Sequence, residues 1–90
     1  MFRIERTTRR KWVQLSLEGK LKSEHVETAE SVCLEALANS DRVMVLLKNV
    51  TEIDTDGYAF LKRLMMTKAR VRATGIFSRY VLHAIRIGRR

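Results

Sequence analysis

The residues best suited to chemistry lie together in one short acidic turn, Ile53-Asp54-Thr55-Asp56-Gly57. Two aspartates supply carboxylates and Thr55 supplies a hydroxyl, just before a segment whose apolar residues recur with the period of a helix. In small α/β domains, the turn between a buried strand and a helix that begins on an acidic residue often carries function. We therefore expect this turn to be a recognition or switch site.

Metal binding and acid–base catalysis are weaker interpretations of the same carboxylates. Asp54 and Asp56 have only Glu52 as a further carboxylate at a suitable spacing, whereas hard cations take six or more oxygen ligands. His25 and His83 are far apart, and no serine, cysteine and acid stand in an arrangement typical of nucleophilic catalysis. The sequence therefore predicts no metal site, no cofactor and no enzymatic activity.

Asp56 also has a purely structural interpretation. Aspartate is a favoured N-cap residue, because its carboxylate accepts hydrogen bonds from the first backbone amides of a helix. We expect Asp56 to cap the helix, whether or not it also faces a partner. Gly57 is expected to permit a tight start of that helix.

The elements that position this turn follow from apolar periodicity. Val43 to Leu47 is an unbroken apolar run, which predicts a central strand with neighbours on both sides. Cys33 falls on the apolar stripe of an upstream helix, where it is expected to act as a small buried hydrophobe. In chain order the predicted elements are strands Phe2–Glu5 and Trp12–Leu17, a helix from Ser23 as N-cap to Ala38, strand Arg42–Lys48, a helix from Asp56 to about Thr67, strand Arg70–Thr74 and a terminal helix to about Gly88.

Two stretches are predicted to be irregular, a polar turn at Thr7 to Lys11 and a loop at Asn49 to Thr55. Gly19 is expected to end the second strand. In the terminal helix, helical spacing groups Phe77 and Tyr80 with the apolar residues Val81, Ala84 and Ile85.

The order of elements, β-β-α-β-α-β-α, defines a fold class. We predict one α/β domain over residues 1–90, with a mixed four-stranded sheet and helices packed mainly on one face. Met44 and Leu46 should then point to the more open face of the sheet. Trp12 either shields them there or marks a partner surface with them.

The net charge of +8 over 90 residues raises the question of an anionic partner. Basic residues at Arg9-Arg10-Lys11, Arg70, Arg72 and Arg86 to Arg90 could line a surface for phosphates. However, the cations are scattered, no nucleic-acid motif is visible and no aromatic residues alternate with the arginines. Nucleic acid therefore remains a secondary interpretation. The absence of a signal-peptide pattern or a membrane-spanning apolar run, together with a single cysteine, favours the cytoplasm.

Three segments together resemble the STAS domain, the family of anti-sigma-factor antagonists and related modules, and the resemblance covers nearly the whole chain. Val13 to Gly19, with Leu21, is similar to the family's second strand and turn. Val43 to Leu47, followed by Val50 and the acidic turn, is similar to its central strand and switch region. Val71 to Gly75 is similar to its last strand.

This resemblance implies a protein–protein switch. In the family, a serine or threonine before the glycine is phosphorylated by a partner kinase, a histidine-kinase-like ATPase that is also the anti-sigma factor. The unphosphorylated form binds that kinase. Here Asp56 occupies the position before Gly57 and cannot accept a phosphoester, whereas Thr55 is an alternative acceptor one residue earlier. The pair Leu47-Lys48 also departs from the family's acidic-then-apolar pattern.

The sequence therefore predicts a non-enzymatic regulatory module for sigma-factor or stress signalling, without the usual serine phosphorylation. The basic body favours an acidic patch on the partner. Two alternatives stay open, a STAS-type subunit of a transport or larger signalling complex and a basic nucleic-acid-binding domain. A homodimer is a further candidate assembly. The expected partner-binding residues are Asp54, Thr55, Asp56, Gly57, Tyr58 and Lys62.

Overall fold

Seven elements follow one another in the computed structural model, which describes residues 1–88. They are β1 (Phe2–Arg9), β2 (Trp12–Leu21), α1 (Ser23–Asn39), β3 (Arg42–Ile53), α2 (Thr55–Met65), β4 (Arg70–Ala73) and α3 (Ile76–Gly88). This order, β-β-α-β-α-β-α, confirms the prediction from the sequence. Arg89 and Arg90, the end of the basic tail proposed for phosphates, lie outside the described residues.

The four strands form one mixed sheet in the order β1-β2-β3-β4. β1 and β2 are antiparallel, whereas β2, β3 and β4 are parallel to one another, as strand–helix–strand connections require. The hairpin turn is shorter than the predicted Thr7 to Lys11, because Thr7 and Arg9 remain paired in register with Gln14 and Trp12. Arg10 takes up the sharp reversal with a positive φ of 49°.

β2 and β3 both continue past the ends predicted for them. Gly19, with φ +96°, does not end β2. Around it β3 carries extra residues that form a bulge, after which the pairing of the two strands resumes. The predicted loop from Asn49 is instead strand as far as Ile53, with Asn49 itself at φ 56°. Leu21 and Ile53 are paired at the end of this extension. The bulge therefore lets the two strands run together up to the acidic turn.

The three helices cover one face of the sheet, as predicted. Alternate residues of the parallel strands point into this layer, and burying each large aliphatic side chain contributes about 1.5–3 kcal/mol. Cys33 is fully buried on α1 between Ala29 and Ala36, whose small side chains let the helix approach the core closely. The other core residues include Val13, Leu15, Leu17, Val43, Val45, Leu47, Phe60, Leu61, Leu64, Val71, Leu82 and Ile85.

The opposite face of the sheet is open. Trp12, Met44 and Leu46 lie on it and are half-buried, which confirms their predicted orientation. α3 buries Ser78, Val81, Leu82 and Ile85 against the sheet, so Phe77 and Tyr80 point outward and are exposed.

Candidate functional site

The acidic turn lies at the carboxyl edge of the parallel strands. β2 ends at Leu21 and β3 at Ile53, and the next helix begins shortly after each of these residues. The first turns of α1 and α2 are therefore neighbours at one edge of the sheet. In parallel α/β sheets this edge is where ligands and partners usually bind, because helix N-termini and connecting loops converge there.

The carboxylate of Asp54 accepts hydrogen bonds from the starts of two helices. Its Oδ1 accepts a hydrogen bond from the amide of Gly57 at 2.8 Å, within the first turn of α2. Its Oδ2 accepts one from the amide of Ser23 at 2.8 Å, at the start of α1. The N-cap of α2 is therefore Asp54, and the prediction that Asp56 caps this helix is wrong. The prediction that Ser23 caps α1 is also wrong, because Lys22 holds that position without a side-chain cap.

These two amides also set the charge state of Asp54. The Gly57 amide, followed by the Ser23 amide, holds the pKa of the Asp54 carboxyl below its ordinary value of 3.8. Hydrogen bonds donated to a carboxylate favour its charged form, and each helix macrodipole acts in the same direction. Asp54 is therefore anionic at neutral pH, and its oxygens are engaged in holding the turn together.

Gly57 is required by the close approach of α2 to the end of β2. A Cβ at this position would collide with the backbone carbonyl oxygen of Leu21 and press on the side chain of Ile53. The Asp54 amide donates a hydrogen bond to the same Leu21 carbonyl at 3.3 Å. The start of α2 is therefore held close to the end of β2. Gly57 does permit a tight helix start, as predicted, and its role is in the backbone packing.

Four of the predicted binding residues take no part in the contacts that Asp54 and Gly57 make within the turn. Thr55 and Asp56 are exposed in the first turn of α2, and Tyr58 has 37% of its surface exposed. The Lys62 ammonium lies 5.9 Å from the centroid of the Tyr58 ring, at the outer limit of a cation–π contact. These four residues therefore lie on the solvent side of a turn that Asp54 and Gly57 hold in shape.

A shallow groove of about 310 Å³ lies beside this turn, between α1 and α2. Arg63 crosses it and donates two hydrogen bonds of 2.8 Å to Glu30, and this guanidinium lowers the pKa of the Glu30 carboxyl. Glu27 and Asp56 also line the groove. Three carboxylates facing one guanidinium make this region acidic. A basic patch would be complementary to this groove, whereas the acidic partner patch was predicted for the basic body of the domain.

Sequence reasoning missed the exposed apolar surface of α3. Ile76 is 88% exposed, Tyr80 70% and Phe77 45%. The sequence signal was present, since the apolar residues of this helix spread over more than half of its circumference and the sheet can bury only one side. This surface is a second candidate contact region, near the carboxyl end of β4.

Two further properties concern the described part of the chain. Across residues 1–88, no helix has the length and apolar character needed to span a membrane. In the same range, no three histidine, cysteine or acidic side chains are grouped closely enough to hold a metal ion.

Comparisons with known proteins address the fold. Neither protein-family models nor curated protein sequences gave a match. Among solved structures, the chain is similar to the anti-sigma factor antagonist SpoIIAA in its unphosphorylated form, with 16% identity over 92% of this chain and 82% of SpoIIAA, and a TM-score of 0.66. It is also similar to a DUF3478-family protein with a SpoIIAA-like fold from Shewanella loihica PV-4, with 15% identity over 93% of this chain and 75% of that one, and a TM-score of 0.56. The chain therefore has the STAS-like fold of SpoIIAA, which its sequence predicted.

Proposed function

We propose that this chain is a non-enzymatic regulatory module that binds a protein partner through the exposed residues at the start of α2. The observation that carries the proposal is that the acidic turn contains two kinds of residue, those that fix its backbone and those that are exposed. Asp54 and Gly57 fix its backbone. Thr55 and Asp56 are thereby presented to solvent on a rigid helix start, in a fold shared with an anti-sigma factor antagonist.

The chemistry of the exposed residues suits a protein interface. Tyr58 combines a large apolar ring with a polar tip, and tyrosines of this kind often carry much of the binding energy. Lys62 lies beside that ring and adds a positive charge next to it. Asp56 and the neighbouring Glu27 supply negative charge at the rim. The complementary partner surface presents arginine or lysine around an apolar pocket for the ring.

The partner class follows from the resemblance to STAS domains. We propose a histidine-kinase-like ATPase that also acts as an anti-sigma factor, which places the interaction in the cytoplasm. In such a switch, a phosphate on the residue before the glycine would add nearly two negative charges at the helix start. Asp56 carries a smaller, permanent negative charge at the same position. We therefore propose that Asp56, whose charge is smaller than that of a phosphate, leaves the module in the kinase-binding state instead of cycling between two states.

Thr55 offers a second route for regulation. Its side chain is exposed at the first residue of α2, where a phosphate would be stabilised by the helix N-terminus. Phosphorylation of Thr55 by the captured kinase would replace the constant state with a switch. This outcome would contradict the proposal that Asp56 fixes the state.

The proposal is tested by affinity capture from native cell extract with three forms of the protein: wild type, Asp56→Ala and Asp56→Ser. We expect wild type to capture the ATPase, Asp56→Ala to capture a different amount, and Asp56→Ser to become phosphorylated when ATP is added. Glu5→Ala is the matched control, because Glu5 is an exposed acid on β1 whose contact is with Arg3.

The alternatives give distinct results in the same experiment. Capture of transporter subunits would identify a STAS-type component of a transport complex. Capture of nucleic acid would support the basic nucleic-acid-binding alternative. Equal capture of the ATPase by wild type, Asp56→Ala and Asp56→Ser would place the contact surface elsewhere on the domain.

A further inference from the structure

We propose that the open face of the sheet carries a binding groove for a mononucleotide, meaning one aromatic ring attached to a phosphate. The groove has a volume of about 550 Å³, within the range of small-molecule sites. It lies where the parallel strands begin, because Trp12, Arg42 and Arg70 are the first residues of β2, β3 and β4. This is the opposite edge from the acidic turn, so the inference does not depend on the proposed function.

The ring would lie against Trp12 and Met44. Both side chains line the groove and are half-buried, so each presents part of its apolar surface to solvent. Arg9 and Arg42 are the cross-strand neighbours of Trp12 on β1 and β3. A planar ring stacked on an indole with guanidinium groups at its sides is a common way to bind a nucleobase.

The phosphate would be held by three cations of the same groove, Arg42, Lys68 and Arg70. Within residues 1–88, none of these three forms an ion pair with a carboxylate, whereas Arg6 and Arg63 each bind a glutamate at 2.8 Å.

Lys68 donates one long hydrogen bond of 3.4 Å to the Ser40 carbonyl. Asp41 is the one acid in the lining, and its carboxylate lies 3.9 Å from the ammonium of Lys11. The groove therefore has an excess of positive charge that suits a phosphate dianion.

The single ring platform favours a mononucleotide over a nucleic-acid strand. Sheet surfaces that bind single-stranded RNA or DNA place several aromatic side chains in succession, one for each stacked base. Across the described open face, the positions next to Trp12 and Met44 hold Gln14, Ser16 and Leu46, none of which is aromatic. One base can stack on Trp12, whereas the adjacent bases of a nucleic-acid strand would have no aromatic side chain to stack on.

Trp12 is the only tryptophan of the chain, so its fluorescence reports directly on this groove. Adenosine 5′-monophosphate, adenosine and inorganic phosphate are each titrated into the full-length protein, with excitation at the red edge of the tryptophan band to avoid absorption by adenine. We expect saturable quenching by the monophosphate. Adenosine should bind about tenfold more weakly, because it lacks the phosphate. Phosphate alone should cause little quenching.

Two arginine substitutions distinguish specific binding in the groove from non-specific attraction of the anionic monophosphate to a basic protein. Arg70→Ala removes a groove cation and should weaken binding of the monophosphate about fivefold to tenfold. Arg79→Ala removes an exposed arginine of α3, outside the groove lining, and should leave the affinity unchanged. Circular dichroism of both variants checks that the fold is retained.

Three results would overturn the proposal. The first is no saturable quenching by millimolar monophosphate. The second is equal weakening by Arg70→Ala and Arg79→Ala, which would show non-specific attraction. The third is an oligoadenylate that binds far more tightly per nucleotide than the monophosphate and with a steep salt dependence, which would identify a strand-binding surface instead.

Discussion

The carboxylate of Asp54 accepts a hydrogen bond of 2.8 Å from the backbone amide of Ser23, 31 residues earlier in the chain. The same carboxylate accepts a second bond from within the first turn of α2. One side chain therefore joins the starts of α1 and α2 at the carboxyl edge of the sheet. The shape of the candidate site depends on this link, and the exposed residues beside it are free to contact a partner.

Replacing the two aspartates of the turn should change the thermal stability to very different extents. Asp54→Ala removes the cap of α2 and the link to α1, so we expect the thermal midpoint to fall by about 5 °C or more. Asp56→Ala removes an exposed carboxylate that caps nothing, so the midpoint should change by less than about 2 °C. Thermal unfolding followed by circular dichroism measures both. A larger loss for Asp56→Ala would contradict the assignment of the cap.

The stabilisation by Asp54 should disappear in acid. Its pKa is lower in the folded protein than its ordinary value of 3.8, since two amides favour the charged form. The charge-dependent stabilisation is therefore complete above that value and is lost as the pH falls through the folded pKa.

Denaturant unfolding of wild type and Asp54→Asn across acidic pH measures this effect, because asparagine keeps an acceptor oxygen and lacks the charge. We expect the two proteins to differ at neutral pH and to converge in acid. A constant difference at every pH would show that the charge of Asp54 contributes nothing.

Gly57→Ala should destabilise the domain, although alanine is normally the better residue inside a helix. The new Cβ would collide with the carbonyl oxygen of Leu21, and relieving such overpacking typically costs about 1–3 kcal/mol. Gly88→Ala is the matched control, because a Cβ there meets nothing within 4 Å. Urea unfolding compares the two variants. Equal stability of both would show that α2 can move away from β2 without cost.

Cys33 should be unreactive in the folded protein. Burial, with a smaller contribution from the charge of Glu30, raises the pKa of its thiol to about 11. The thiolate is the reactive form, so little of it exists near pH 8, and the side chain is fully buried as well. We expect Ellman's reagent to react slowly with the native protein and rapidly after denaturation. Rapid reaction of the native protein would show that α1 opens readily.

Periodicity was sufficient to predict the order of elements and the side of the sheet that the helices cover. An alternating or unbroken apolar pattern defines a strand locally, as in Val43 to Leu47, and the helical rhythm does the same for α2. The assignment of the N-cap needed more than local pattern. Asp54 and Asp56 are equally good cap residues, and the choice depends on where β3 ends.

The end of β3 is a tertiary property. It is set by the pairing of Ile53 with Leu21, which in turn requires the bulge of β3 opposite Gly19. The same limit applies to the orientation of α3, whose apolar residues fit two helix faces. Only its packing against β3 and β4 selects the face of Ser78 and Ile85. Local sequence therefore predicted which elements exist, and contacts between elements decided their ends and rotations.

The central claim is that the exposed side of α2 binds the partner. Its most direct test is the affinity of the captured ATPase for purified wild type, Tyr58→Ala and Leu34→Ala, measured by calorimetry. Leu34 is a matched control, because it is a 53% exposed apolar residue on α1, outside the acidic turn and its groove. We predict that Tyr58→Ala weakens binding by about tenfold or more, while Leu34→Ala changes it by less than about twofold. Equal affinities for wild type and Tyr58→Ala would contradict the claim.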